Sequence, residues 1–325
     1  MLYVPPGIRR GDPDVAYAQF LKMHKCYDVM PKNSKLVVLN TALPVKKALY
    51  ALIYSGVRSA MLYDDSDRSL CGHLTISDFI NILLKYYDRS PEELSTLLSN
   101  QVISQWREIL KSEDRLKVFR KVGANQSLYD AFIVLLETSY HRIPVLDETS
   151  GNPLHFLTHK RLLQYLYLYM NDLPKPSYLY EGVRFLNIGT YESVLYVHPN
   201  TKLIDCLARL SEKPISAVPV VESDGTVVDV YARFDAIQIA AEGSFTVLSR
   251  TVREALQSRK NAKWFSGVVT CVESDTLLFV IEKLVVAEVH SLIVLNDENH
   301  LSGIITVSDV LRYIIMKPQR GIMKQ

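Results

Sequence analysis

The alternation of apolar and polar residues predicts the same order of elements four times along the chain. In the first unit, an apolar run at Lys35–Leu39 precedes a helix that begins at Pro44 and ends near Gly56. Two more apolar runs follow, Arg58–Tyr63 and Leu70–Ile76, and the second leads directly into an amphipathic segment. The unit is therefore predicted to fold as strand, helix, strand, strand, helix.

Three later units repeat this order, so we predict an α+β fold built from four β-α-β-β-α repeats. The middle strands of these units are predicted at His141–Asp147, Ile215–Val221 and His290–Leu295. In all four units the last helix starts sixteen or seventeen residues after the centre of the middle strand. The residues at this helix start are Asp78, Arg161, Asp235 and Asp309.

The turn before this helix has the same polar pattern in the first and fourth units, Thr75–Asp78 and Thr306–Asp309. A hydroxyl and a carboxylate at a helix start usually cap backbone N–H groups and complement the helix dipole. A single copy would suggest only such a cap. Two copies in the same context instead indicate a repeated module.

The segments between the units set the predicted boundaries. Pro174 and Pro176 cannot continue a helix, so we place the main domain boundary there. Pro91–Trp106 is predicted to form one helix, and Glu242–Trp264 is predicted to be mostly helical. The predicted limits are 1–25 for an N-terminal arm, 26–90 and 115–172 for the first two units, 173–186 for a linker, and 187–245 and 262–317 for the last two units.

Composition narrows the function classes. The chain has 325 residues, of which 48% are hydrophobic and 22% charged, so it can bury a large core. Its 37 basic and 35 acidic residues give no overall attraction to nucleic acid, and no apolar run is long enough to span a membrane. Four cysteines without a Cys-x-x-Cys pair argue against structural zinc and for reduced thiols, so we expect a cytoplasmic or nuclear protein without a bound metal.

Four such units resemble cystathionine-β-synthase (CBS) domains, and their arrangement as two tandem pairs resembles the γ regulatory subunits of AMP-activated protein kinase. The resemblance extends from about residue 20 to the end of the sequence. The segments that carry it are Lys35–Val38, Val45–Ala48, Leu74–Leu83, Leu157–Arg161, Ile188–Tyr191 and Ala287–His290.

The resemblance implies a non-catalytic subunit that binds AMP, ADP or ATP in clefts between paired CBS units and needs no other cofactor. It also implies assembly with a catalytic α-type protein kinase subunit and a β-type scaffold subunit. In the family the acid of the final turn holds the ribose hydroxyls, which assigns Asp78, Asp235 and Asp309 to three nucleotide sites. Arg161 replaces the acid in the second unit, so that cleft is expected to hold no nucleotide.

The resemblance also assigns residues that contact the phosphates. The basic candidates are Arg58, His141, Arg142, Lys160 and His290, and the hydroxyl candidates are Thr190, Ser216, Thr306 and Ser308. Adjacent basic groups that open a buried strand, as at His141 and Arg142, need a partner or solvent, which favours a nearby anion. Lys160 stands at a helix start, where the dipole disfavours a cation, and this favours the same interpretation.

Two positions depart from the family. Ser291 stands where the family has an arginine, and Lys213-Pro214 stands where it has a His-Arg pair. A lost arginine removes a charge-assisted contact of about 1.5–3 kcal/mol. We therefore expect the Asp78 and Asp309 clefts to bind nucleotide, and the Asp235 cleft to bind it weakly or not at all.

Other functions stay open at this point. An assembly subunit of the same kinase, with reduced or lost nucleotide sensing, is the main alternative because those basic residues are missing. A CBS sensor of a different effector is disfavoured because the sequence has little beyond the four units. An enzyme is disfavoured because the sequence has no P-loop, His-Glu-x-x-His or Gly-x-Ser-x-Gly motif.

Overall fold

The structure is a computed structural model that describes residues 13–138, 141–213, 215–241, 245–259 and 267–322. Within these ranges it contains twelve α-helices and eleven strands. The N-terminal helix is α1 (Ala16–Met23). The first unit comprises β1 (Val38–Asn40), α2 (Val45–Ser55), β2 (Ser59–Asp64), β3 (Ser69–Thr75) and α3 (Ile76–Lys85), and it is followed by α4 (Pro91–Asn100) and α5 (Ile103–Ser112).

The three later units follow the same plan. The second comprises β4 (Val122–Gly123), α6 (Leu128–Glu137), β5 (Arg142–Leu146), β6 (Pro153–Thr158) and α7 (His159–Tyr169). The third comprises α8 (Leu203–Glu212), β7 (Ala217–Val221), β8 (Val227–Ala232) and α9 (Ile237–Ala241), followed by α10 (Val252–Arg259). The fourth comprises β9 (Thr270–Val272), α11 (Leu277–Val286), β10 (Ser291–Leu295), β11 (Leu301–Thr306) and α12 (Val307–Ile322).

Each sheet is organised around the middle strand of its unit. β2 pairs in parallel with β1 and antiparallel with β3, and the second and fourth units repeat this arrangement. In the third unit an isolated parallel bridge between Val197 and Val220 takes the place of the first strand. Parallel neighbours require a crossover, which α2, α6, α8 and α11 provide. The predicted fourfold β-α-β-β-α repeat is therefore confirmed.

The apolar faces of the helices form two separate cores, and each core joins two units that are not consecutive. One core contains the first and third units, where α3 packs against α8. The other contains the second and fourth units, where α7 packs against α11 and α12, with α1 added at its side. The linker also belongs to the second core, since Leu173 and Leu179 are buried there. No helix in the described part of the chain is long and apolar enough to cross a membrane.

The prediction of one helix over Pro91–Trp106 is wrong. The chain leaves the helix at Gln101 and Val102 because their backbone groups pair with the loop before α2. The Gln101 carbonyl accepts from the Val45 N–H over 2.9 Å, and Val102 forms an isolated bridge with Pro44. In the stretch 242–264, the described residues form a 3₁₀ turn at Phe245–Ser249 and then α10; residues 242–244 and 260–264 lie outside the description.

Gly189 allows the segment before the third unit to approach β11, and this contact can be tested. Its φ is 107°, and an added Cβ would lie 2.6 Å from the Ile304 carbonyl oxygen. We expect Gly189→Ala to lower the free energy of unfolding by at least about 2 kcal/mol, measured by urea denaturation. Gly151→Ala is the control, because its φ is 69° and no atom lies within 4 Å of the added Cβ. We expect this variant to lower the free energy of unfolding by about 1 kcal/mol. Equal losses would contradict the close approach.

Candidate functional site

Equivalent positions in the four units bring basic groups together. The residues just before β2, β5, β7 and β10 are Arg58, His141, Ser216 and His290. Arg58 Nη1 lies 2.8 Å from His290 Nε2, so the first and fourth units meet here. Arg142 Nη1 donates to Ser59 Oγ over 3.1 Å, which joins the second unit to the first.

Two residues of α7, His159 and Lys160, also lie beside these basic groups. Lys160 Nζ lies 2.5 Å from the Glu288 carbonyl oxygen and 3.2 Å from its carboxylate. The ring of His159 lies 6.3 Å from that of His141, and its Nε2 is 3.5 Å from Ser308 Oγ. We call the five basic candidates that gather here the central cluster: Arg58, His141, Arg142, Lys160 and His290.

The central cluster has more positive charge than its surroundings neutralise. Burial and the neighbouring charge of Arg58 lower the pKa of Arg142 to about 10. Burial, followed by the charges of Arg58, Lys160, Arg142 and His141, lowers the pKa of His290 to about 3. Among the described residues, no carboxylate lies within salt-bridge distance of Arg58 or Arg142. Desolvated cations in this number are unfavourable unless an anion joins them.

The cluster is also accessible. Arg58, His141 and His290 remain exposed to solvent even though the surrounding protein partly desolvates them and lowers their pKa values. These side chains are partly dehydrated, but solvent still reaches them, which is typical of a cleft and not of a closed core. The arrangement can therefore receive an anionic group from solution.

The turn carboxylates of the first and fourth units have matching geometry. Asp78 Oδ2 accepts hydrogen bonds from the backbone N–H and the hydroxyl of Thr75, both at 2.8 Å. Asp309 Oδ2 accepts the same two bonds from Thr306, at 2.9 and 2.6 Å. In both turns Oδ1 accepts no hydrogen bond from the described residues. Each turn thus fixes its carboxylate through Oδ2 and leaves Oδ1 without a hydrogen bond from another described residue.

The third unit differs at the same turn. Asp235 is only 5% exposed, and its Oδ2 accepts from the Ala232 N–H over 2.8 Å. The cavity beside it, lined by Tyr231, Val247 and Arg250 among others, has a volume of about 10 Å³. A single water needs about 10–15 Å³, so on the side of Asp235 that faces Val247 and α10 the packing leaves no room for a sugar ring. Phe234 stands where the other turns have a serine or lysine, and its ring lies 4.7 Å from the Arg58 guanidinium.

The remaining predicted residues lie as follows. Arg161 Nη1 donates to the Val29 carbonyl over 3.0 Å, so the second turn contacts the segment before the first unit. Thr190 exchanges two 2.9 Å backbone hydrogen bonds with Ile304, which places it beside the Asp309 turn. Ser216 accepts the Arg233 N–H on its carbonyl oxygen. Ser291 opens β10 opposite Thr306, and Pro214 lies outside the described residues.

Two residues near the Asp78 turn were not predicted from the sequence. Arg233 Nη1 donates to Ser77 Oγ over 2.9 Å, while its other nitrogens bind carbonyls of the third unit, including that of Ile215. The charge of Lys117 opposes the burial that raises the pKa of Asp78. A signal existed for Arg233, because it lies in the third turn, two residues before Asp235. The signal was overlooked because its contact belongs to a different unit.

Comparisons with known proteins identify relatives of the units and of the whole chain. The CBS-domain family model matches residues 117–168, 190–242 and 266–316. The chain is 39% identical over 302 residues to the 5′-AMP-activated protein kinase subunit gamma-3 of Homo sapiens, covering 93% of this chain and 61% of that protein. It is 38% identical to the Bos taurus subunit of the same name, covering 93% of this chain and 60% of that protein. The chain thus spans about 60% of the length of these relatives.

Solved structures with lower sequence identity share the fold. A Methanocaldococcus jannaschii protein, solved as a candidate archaeal homologue of γ-AMPK, superposes with a TM-score of 0.69 at 16% identity, covering 89% of this chain and 99% of that chain. An uncharacterised conserved protein of Pyrococcus horikoshii gives a TM-score of 0.50 at 18% identity, covering 90% and 100%. At these identities the likeness supports the architecture alone.

Because Arg142 carries a desolvated charge close to Arg58, its removal should not destabilise the protein. In phosphate-free buffer, Arg142→Gln is expected to leave the free energy of unfolding unchanged or raise it by up to about 1 kcal/mol, because it removes a desolvated charge that faces Arg58. Arg107→Gln, which loses a 3.0 Å hydrogen bond to the Cys71 carbonyl, should lower it by about 1 kcal/mol. Urea denaturation compares the two variants. A loss above about 2 kcal/mol for Arg142→Gln would show that the guanidinium stabilises the fold by itself.

Proposed function

We propose that the chain, which is similar to CBS domains and to the γ subunits of 5′-AMP-activated protein kinase, is a non-catalytic, adenine-nucleotide-binding regulatory subunit of a heterotrimeric protein kinase. Its ligands are AMP, ADP and ATP. Its partners are a catalytic α-type kinase subunit and a β-type scaffold subunit, and it acts in the cytoplasm or nucleus.

The observation that carries the proposal is the central cluster together with the two free turn oxygens. Phosphate groups supply the negative charge that Arg58 and Arg142 lack, and guanidinium groups bind phosphate oxygens with paired hydrogen bonds. Oδ1 of Asp78 and of Asp309 accepts hydrogen bonds from ribose hydroxyls. A ligand that carries a phosphate and a diol at opposite ends of one sugar matches this pair of features.

The clefts differ in their expected occupancy. The Asp78 and Asp309 turns keep an available oxygen, and their surroundings contain Arg233 and Thr190 respectively. The Asp235 turn has a cavity of about 10 Å³ and a phenylalanine under Arg58. These features support two nucleotides per chain, with weak or no binding at Asp235.

A second function is an assembly subunit of the same kinase with reduced or lost nucleotide sensing. The small Asp235 cavity and Ser291 favour it, since both weaken one of three sites. In that case the chain would hold the kinase complex together, and kinase activity would not respond to AMP.

Nucleotide stoichiometry separates the two functions. We expect native mass spectrometry of the chain, co-purified with its kinase and scaffold partners and titrated with AMP, to show two bound nucleotides. Asp78→Asn and Asp309→Asn should each reduce this number to one, because a neutral amide is a weaker acceptor for the ribose hydroxyls. Asp235→Asn is the matched control and should leave two.

A stable complex that takes up no nucleotide at any concentration would reject the sensing role and leave the assembly role. Three bound nucleotides, reduced to two by Asp235→Asn, would instead show that the third cleft opens on binding.

A further inference from the structure

We propose that phosphate binding at the central cluster is coupled to proton uptake, with His290 as the residue that takes up the proton and the Arg58–His290 hydrogen bond as the contact that is exchanged. This inference rests on the proposed nucleotide function and specifies how pH regulates that site.

The Arg58–His290 contact defines the state of the imidazole before a ligand arrives. A guanidinium can only donate, so Nε2 of His290 accepts the hydrogen bond across the 2.8 Å between the two nitrogens. The ring is therefore neutral, and its single proton is on Nδ1. The backbone fixes its position, because the His290 carbonyl accepts the N–H of Val307, the first residue of α12, over 3.0 Å.

The groups that act on His290 come from the first and second units, and all of them are basic. Arg58 precedes β2, Arg142 and His141 are at the start of β5, and Lys160 is on α7; all four lower the pKa of His290. Two carboxylates are nearby: Asp235 attracts Arg58, and the exposed Glu288 pairs with Lys160. Burial and this cationic excess lower the pKa to about 3, against 6.5 for a free histidine.

A phosphate group would remove the Arg58 hydrogen bond from Nε2 of His290 and offset the positive charge around the ring. The phosphate accepts hydrogen bonds from Arg58, so the Arg58 guanidinium no longer donates to Nε2 of His290. The lone pair of Nε2 then points at an anion. Two acceptors repel each other, and a proton transferred from the buffer acid to Nε2 turns the contact into a charge-assisted hydrogen bond. The phosphate also neutralises the cations that lowered the pKa, so the pKa rises on binding.

Proton uptake on binding makes the affinity for the ligand depend on pH. The free protein holds no proton on Nε2 near neutral pH, and the bound protein holds part or all of one. A complex that binds more protons than its free components becomes tighter as pH falls. We therefore expect the affinity for AMP to increase several-fold between pH 8 and pH 7, a range in which a phosphate monoester with a second pKa of about 6 is mostly dianionic.

Isothermal titration calorimetry with AMP tests this on the kinase complex, in two phosphate-free buffers with different ionisation enthalpies. At pH 7.5 the wild-type chain should take up about half a proton or more across its sites, as expected for a histidine whose pKa rises to near the working pH. His290→Gln keeps an acceptor for Arg58 but cannot be protonated, and should reduce the uptake by at least half. His300→Gln, at a histidine paired with Glu298 at a distance of 3.4 Å, is the control and should behave like the wild type.

The outcomes separate the inference from the proposed function. Binding of AMP with no proton uptake, or with equal uptake in His290→Gln, would overturn the role of His290 and leave the nucleotide function intact. No binding heat at any pH, with native mass spectrometry also showing no nucleotide, would overturn both.

Discussion

The organisation of this protein depends on one constraint: three of the four units place the basic residue before the middle strand at a common centre. These residues are Arg58, His141 and His290, and Arg142 and Lys160 add two cations to them. Because Arg58 and Arg142 lack a carboxylate partner among the described residues, the ligand-free protein carries an electrostatic cost that an anion relieves. The clustered cations therefore lower the stability of the fold and favour the binding of an anion, a trade-off that is common at functional sites.

The two cores hold the central cluster in place. The first unit shares its core with the third, and the second shares its core with the fourth, whereas the polar contacts at the centre cross between these cores. Arg58 of the first unit contacts His290 of the fourth, and Arg142 of the second donates to Ser59 of the first. The central cluster therefore belongs to no single unit.

The sequence was sufficient for the repeat and for the two matching turns, because periodicity and turn chemistry are local signals. The turns at Asp78 and Asp309 could be predicted from four residues each. The break at Gln101 could not, because it depends on pairing with a loop almost sixty residues earlier. Arg233 was missed for the same reason, since its hydrogen bond to Ser77 joins units that only the tertiary fold brings together. The narrow cavity at Asp235 likewise depends on side chains from several elements.

The central claim is that the cluster exists to bind phosphate, and a comparison of AMP with adenosine tests it most directly. Both ligands have the ribose diol and the adenine ring, and only AMP has the group that the cations would hold. The account predicts that saturating AMP raises the thermal unfolding midpoint of the protein by several degrees, an effect of about 2–3 kcal/mol at 100 times Kd, while adenosine at the same concentration changes it little. Equal stabilisation by the two ligands, or none by AMP, would contradict the assignment of the cluster as a phosphate site.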